Sequence, residues 1–276
     1  MLIRPNYEEI KSLFWRKPKL VSVKMEDPVH TKMLRALHVH DDRVEIILIR
    51  SGNGVHTIDG RAYSTHGGNI LIYNAGVTHD ECADRIEGMQ IISCTVSNIS
   101  IPGQADNTLL PDQCAPIITN TPLFQEIEAL LVTLMTVKEE EIRYHLTCAL
   151  LLLVRQEAMK ESLPEENKTF QIGHLVQKYI DEHYLEDIQL EDIAEELHLA
   201  PYYLSRVFRN TVGCPPKQYM VRRRIGEAQS WLLMTDLPVT EIAMKVGYNS
   251  VSNFHNTFRK VVGMTPQQYR DYWKNN

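Results

Sequence analysis

Two stretches of the chain share one frame at a fixed offset. Residues 200–220 read APYYLSRVFRNTVGCPPKQYM and residues 250–270 read SVSNFHNTFRKVVGMTPQQYR. Leu204, Phe208, Gly213, Pro216 and Tyr219 recur fifty residues later as Phe254, Phe258, Gly263, Pro266 and Tyr269, while the polar residues between them differ. The first copy parses as a short helix over EDIAEEL, a tight turn at HLA, and a second helix opening at Pro201, a favoured first helical position. Ile193, Ala194, Leu197, Leu199, Leu204, Val207 and Phe208 then face one another, and the small Ala194 permits the close crossing of a helix-turn-helix. The second copy places Ile242, Ala243, Val246, Tyr248, Phe254 and Phe258 inside, with Gly247 suited to the turn. Between the copies, KQYMVRRRIGEAQSWLLMT reads as one connecting helix in which Ile225, Ala228 and Leu232 pack on both units, and Gly226 weakens its interior by about 1 kcal/mol relative to Ala.

A helix that enters the major groove needs an apolar back to fix its angle and a polar front to read base edges, so two copies should share the back and differ in front. The fronts here are Tyr202, Ser205, Arg206 and Arg209 in one copy, and Ser252, His255, Asn256, Arg259 and Lys260 in the other. Held rigidly, the two helices reach successive major grooves of one duplex face, about 34 Å apart. The net charge of −6 opposes nucleic acid only on average. Residues 1–167 carry 16 Lys and Arg against 23 Asp and Glu, whereas residues 168–276 carry 13 against 12. No acidic residue falls between Glu196 and Glu227 or between Glu241 and Asp271, so each copy can present a positive local field to phosphate, with Arg209, Arg259 and Lys260 placed for it. The plain alternative, a helical bundle whose repeat is only core packing, leaves the coincidence of repeat, turn chemistry and acid-free windows unexplained.

The segment RIGEAQSWLLMTDLPVTEIAMKVGYNSVSNFHNTFRKVVGMTPQQYR resembles the signature of the AraC/XylS family of transcription regulators, and the resemblance extends over residues 171–276. It implies an all-α DNA-binding domain with helix-turn-helix motifs at about 190–213 and 239–263. It also implies base reading by Tyr202, Ser205 and Arg206 and by Ser252, His255 and Asn256. The family commonly has Arg where this chain has Asn256, so an operator sequence does not carry over from relatives. An Asn there can still pair with adenine.

From about residue 20 to 100, short β-branched runs such as VEIILI and MQIISCTV alternate with Gly, Asn and Asp, which predicts a small antiparallel sandwich or barrel. His38, His40, Glu45 and Gly52 in the spacing H-x-H-x4-E-x6-G, followed by Gly68, Gly76 and His79, resemble the two motifs of the cupin barrel, with Asn74 and Ala83 departing from the second. In a strand His38 and His40 point to one face, where Glu45 and His79 could join them. Three imidazoles and a carboxylate suit a divalent transition metal. They serve equally as hydrogen-bonding partners for a small ligand, since AraC-type regulators often carry such a barrel for a sugar or other metabolite. Buried structural polar residues are the third reading, a metal-dependent enzyme is the minor one, and no cofactor is required by any motif.

Two amphipathic helices fit residues 122–160, and the apolar run LTCALLLLV needs cover on more than one side, which points to a homodimer, as the resemblance also implies. The polar, Pro-containing 161–170 reads as the linker between domains 1–160 and 171–276. The opening MLIRPNYEEIK has no signal-peptide core, no apolar run spans a bilayer, and five cysteines without a close pair argue against a disulfide framework, so a cytoplasmic protein is expected. The expected fold class is α+β: an N-terminal antiparallel, cupin-like β-barrel with two helices, then an all-α domain of two helix-turn-helix units. The expected function is a non-enzymatic DNA-binding regulator that answers a small effector. By the family resemblance it activates transcription by touching RNA polymerase. A ligand-independent regulator with a purely structural barrel is the alternative.

Overall fold

The long strand β3, Arg43–Ile58, organises the N-terminal half of this computed structural model, which describes residues 13–84, 86–161, 163 and 168–275. Alternation sends Val44, Ile46 and Leu48 to one face and Glu45, Ile47 and Ile49 to the other. The first set joins an outer core and the second an inner one with Ile58, Leu71, Tyr73, Met89 and Ile91. Strands β5 (Ile70–Tyr73) and β7 (Met89–Ser97) flank β3 antiparallel, and β1 (Lys19–Glu26) and β8 (Ile117–Ile118) close the order β1-β7-β3-β5-β8. The far end of β3 pairs instead with β4 (Arg61–His66) and, at Ile58, with β6 (His79–Glu81), whose other neighbour is β2 (Arg35–His38). A one-turn helix α1, Pro28–Thr31, links β1 to β2.

The expected closed barrel is thereby corrected: β1 and β8 stand at opposite ends of the strand order and do not pair, so the sheet is open. The physical reason lies in β3 and β2. A register shift between Ile49 and Ser51 bends β3 so that it serves two sheets. The free edge of β2 meets the C-terminal half of the chain instead of another strand.

Helices α2 (Phe124–Thr136) and α3 (Glu140–Ala158) cover the outer face, burying Ile127, Leu131 and Leu134 from one and Leu150, Leu151, Val154 and Ala158 from the other. One stripe of α3 stays outward: Ile142 is 49% exposed, and Ala149 and Leu152 are half-buried. No helix among the described residues is long and apolar enough to cross a membrane. Burial pushes the Cys94 thiol up to about 12, as suits an inert core residue.

The rest is helical: α4 (Lys168–His183), α5 (Leu190–Glu196), α6 (Pro201–Val212), α7 (Pro216–Met234), α8 (Val239–Lys245), α9 (Val251–Val262) and α10 (Pro266–Asn275). Within the range expected for the linker, α4 already begins at Lys168, and residues 162 and 164–167 lie outside the described residues, as does the opening stretch 1–12. The frame residues of the repeat do one job twice. Leu204, Phe208 and Tyr219 are buried in the first unit, and Phe254, Phe258 and Tyr269 in the second. Gly213 and Gly263 end α6 and α9 at φ 84° and 92°, the left-handed cap that only glycine adopts freely. Pro216 and Pro266 then open the next helix.

Candidate functional site

On the surface of the two units, α6 exposes Tyr202, Arg206 and Arg209 with Ser205 half-buried, and α9 exposes Ser252, Asn256, Arg259 and Lys260 with His255 half-buried. The nine polar residues singled out in the sequence thus share the outward faces of the two second helices. Tyr202 is 80% exposed, and the Arg206 guanidinium lies 5.7 Å from the centre of the Tyr203 ring. Left-handed His198 and Gly247 (φ 53° and 83°) form the corresponding turns.

Four arginines of the acid-free windows are engaged within the fold. Arg222 pairs with the buried carboxylate of Asp80, and Arg223 with Asp181 at 2.8 Å. Arg224 donates to the carbonyls of Tyr184 (2.6 Å), Glu186 (2.7 Å) and Gly247 (3.0 Å), and buried Arg270 to those of Leu232 (3.3 Å) and Leu237 (2.6 Å). These four cations hold the fold together. Arg206, Arg209, Lys217, Lys245, Arg259 and Lys260 are exposed basic residues on and beside α6 and α9.

A cavity of about 420 Å³ opens between β1, β2, β3, β6 and β7. Its wall carries Lys24, Glu26, Arg35, Arg43, Glu45 and Glu81, and it is completed by Leu233 and Met234 of α7 and Tyr269 and Trp273 of α10. The cavity therefore has part of its wall in the C-terminal, helical half.

His38, His40 and Glu45 line it, His79 is buried beside them, and donor atoms of these four residues of the sequence motif all lie within 4.8 Å of one another. Glu45 is the hub, with one oxygen 3.5 Å from His40 Nε2 and the other 3.5 Å from His79 Nε2. Backbone carbonyls fix the ring tautomers. His38 Nδ1 donates to Ala36 O at 2.9 Å and His79 Nδ1 to Val77 O at 2.9 Å, leaving each Nε2 unprotonated. His79 Nε2 is buried without a hydrogen-bond partner. Burial holds the His40 imidazole down at about 4 and, with the charge of Arg35, keeps His38 well below its ordinary value. Burial works to raise the Glu45 carboxyl, but His79, His40 and Arg35 outweigh it and hold it at about 2.

This donor set fits a divalent transition metal. Ligand atoms on a tetrahedral centre with bonds of about 2.0–2.1 Å lie about 3.3 Å apart, close to the two Glu45 contacts of 3.5 Å, which use different carboxylate oxygens, while the whole donor set lies within 4.8 Å. The carbonyl-anchored tautomers are the outer-shell arrangement of metal-binding imidazoles. One neighbour interferes: Arg35 Nε donates to His38 Nε2 at 3.2 Å.

The two halves meet at β2. Ala36 belongs to the core of the second helix-turn-helix unit and Leu37 to that of the first. The Gln229 side chain closes the free edge of the strand, accepting from Ala36 N at 2.8 Å and donating to Leu34 O at 2.9 Å. A Cβ on Gly226 would stand 2.0 Å from Leu37 O, so the glycine that weakens α7 as a helix lets the strand touch it. Sequence reasoning missed Arg35, Glu81, Gln229, Tyr269 and Trp273 as site residues. Only the polar side chains of Gln229 and Arg35, on elements otherwise patterned as apolar, could have flagged any of them.

Residues 30–142 match the family described as AraC-like ligand binding domain, and residues 193–272 match one described as helix-turn-helix domain. The uncharacterised HTH-type transcriptional regulator YdiP of Escherichia coli strain K12 is 26% identical over 248 residues, covering 86% of this chain and 82% of its own. The HTH-type transcriptional activator RhaS of Enterobacter sp. strain 638 is 25% identical over 249 residues, covering 84% and 86%. Among solved structures, the C-terminal domain of AraT, a response regulator from Geobacillus stearothermophilus, is 34% identical over 38% of this chain and 88% of that one, with a TM-score of 0.37.

Proposed function

The chain belongs to the AraC family of helix-turn-helix transcription regulators, a non-enzymatic family, and on that footing we propose how it works. It is an activator that reads an extended DNA site through α6 and α9 and takes a small polar effector, of the sugar class, in the N-terminal cavity. The observation that carries this reading is the shared wall: the cavity is lined by both halves, so an occupant touches the DNA-binding half directly. Charged and hydroxyl groups of both signs, among them Ser22, Ser93, Thr95, Arg35, Glu26 and Glu81, suit a ligand rich in hydroxyls. Effector binding then shifts the balance between arrangements of the two halves by its differential affinity for them.

In the same reading Tyr202, Ser205, Arg206, Ser252, His255 and Asn256 meet base edges, and Arg209, Arg259 and Lys260 meet phosphates, in two successive major grooves. The work divides among residues 1–160, a linker at 161–170 and residues 171–276. DNA binding needs no cofactor. His38, His40, Glu45 and His79 would hold a divalent transition metal, which would supply a Lewis-acid anchor for an effector oxygen. The outward stripe of α3 joins two copies in a homodimer, and the protein works in the cytoplasm with RNA polymerase as its partner.

The test is recovery of the genomic DNA bound by the full chain, followed by footprinting. Protection of two major-groove segments one helical turn apart on one face is expected. Equal affinity for the recovered sites and for random DNA of the same length would refute the reading.

A further inference from the structure

Arg35 lines the cavity. It reaches His38 from β2, and its surroundings are the carboxylates of Glu26, Glu45 and Glu81 and the hydroxyl of Tyr269. Tyr269 is a frame residue of the repeat, yet its counterpart Tyr219 has another partner, Asp181, at 3.0 Å. The repeat therefore departs from itself at this one hydroxyl: in the first unit it faces its own domain, and in the second it faces the cavity.

Arg35 also occupies the lone pair of His38 that a metal would need. A guanidinium carries its charge permanently, so it cannot make way by losing a proton. Resting on the metal reading of the cavity given above, we propose that Arg35 is a built-in cation which a divalent transition metal must displace from His38 on entry, so that metal occupancy is reported through Tyr269 to the second helix-turn-helix unit. Displacement is open to the side chain because Glu26 lines the same cavity and offers it a carboxylate, whereas burial and then the neighbouring Glu26 push the Glu81 carboxyl up to about 8, so that Glu81 serves it as a neutral hydrogen-bonding partner. Ala36, the next residue of β2, lies in the core of that same helix-turn-helix unit, so a shift at Arg35 acts on it through the strand as well.

The experiment titrates full-length, metal-free protein with cobalt(II) and then zinc. Cobalt absorption and calorimetry measure binding, and hydrogen exchange reports on the segments 34–38 and 266–275. Wild type is expected to take up one cobalt ion in a site lost in His79→Ala, with faster exchange over 266–275 once metal is bound. Arg35→Gln, free of the competing cation, should bind cobalt at least about tenfold more tightly, with exchange over 266–275 no longer answering to metal. Arg35→Lys, which keeps the charge but not the contact with His38, should fall between the two and decides the matter if Arg35→Gln does not fold. Equal affinity in wild type and the folded Arg35 variant overturns the proposal, as does absence of cobalt uptake in either. DNA binding by the same preparations is read separately, so failure of the regulator reading would show as loss of sequence preference with the metal data unchanged.

Discussion

Gly226 and His56 show how single positions answer to distant neighbours. Helix propensity alone says that Gly226→Ala should stabilise α7 by about 1 kcal/mol. The carbonyl of Leu37, 2.0 Å from the added Cβ, reverses the sign, because β2 must move off both helix-turn-helix cores. A net loss of about 2 kcal/mol is expected in urea unfolding of the full chain. His56 is buried, bonds Thr65 Oγ1 at 2.9 Å, and is held down at about 4 by burial and then by His79. Since its ordinary value is 6.5, folding favours the neutral ring. Its contribution is therefore present above pH 6.5 and is lost as the pH falls towards 4. His56→Asn, which does not titrate, should flatten the acid side of the stability profile across that window by up to about 3 kcal/mol, read from denaturant midpoints at each pH.

The two second helices, α6 and α9, carry the contrast between reading and holding. Arg206→Ala is expected to cost about 1–3 kcal/mol on specific DNA and to relax preference at one position. Arg259→Ala should weaken all sequences alike and lower the salt slope by about one ion, measured as log Kd against log salt. These faces were legible because a helix repeats every 3.6 residues and the second copy supplied a control for the first. The strands were legible as strands, and His38, His40, Glu45 and His79 as a set, because their spacing is local. The open sheet was not, since whether β1 meets β8, and that the edge of β2 is capped by Gln229, 193 residues from Ala36, are settled between distant parts of the chain. The structural roles of Arg222, Arg223, Arg224 and Arg270 were not legible for the same reason. A charge in sequence does not say whether it faces phosphate or a buried carboxylate such as Asp80.

At the scale of the whole molecule, β2 belongs to three cores' worth of neighbours: the cavity through Arg35 and His38, and one helix-turn-helix unit each through Ala36 and Leu37. The full chain should accordingly unfold in one calorimetric transition. Residues 168–276 alone, with both cores short of a side chain and Gln229 short of its strand, should melt at a lower temperature than the same helices do in the full chain. A saturating ligand at 100 times its dissociation constant should raise the stability of that single transition by about 2.7 kcal/mol. The same strand limits how such proteins can trade parts. A hybrid that joins this DNA-binding half to a foreign sensor at the linker would inherit someone else's β2, with side chains shaped for other helices. Recombination between relatives would have to carry residues 34–38 along with the distant helices they fit, and sequence drift on either side would be held in step by the other.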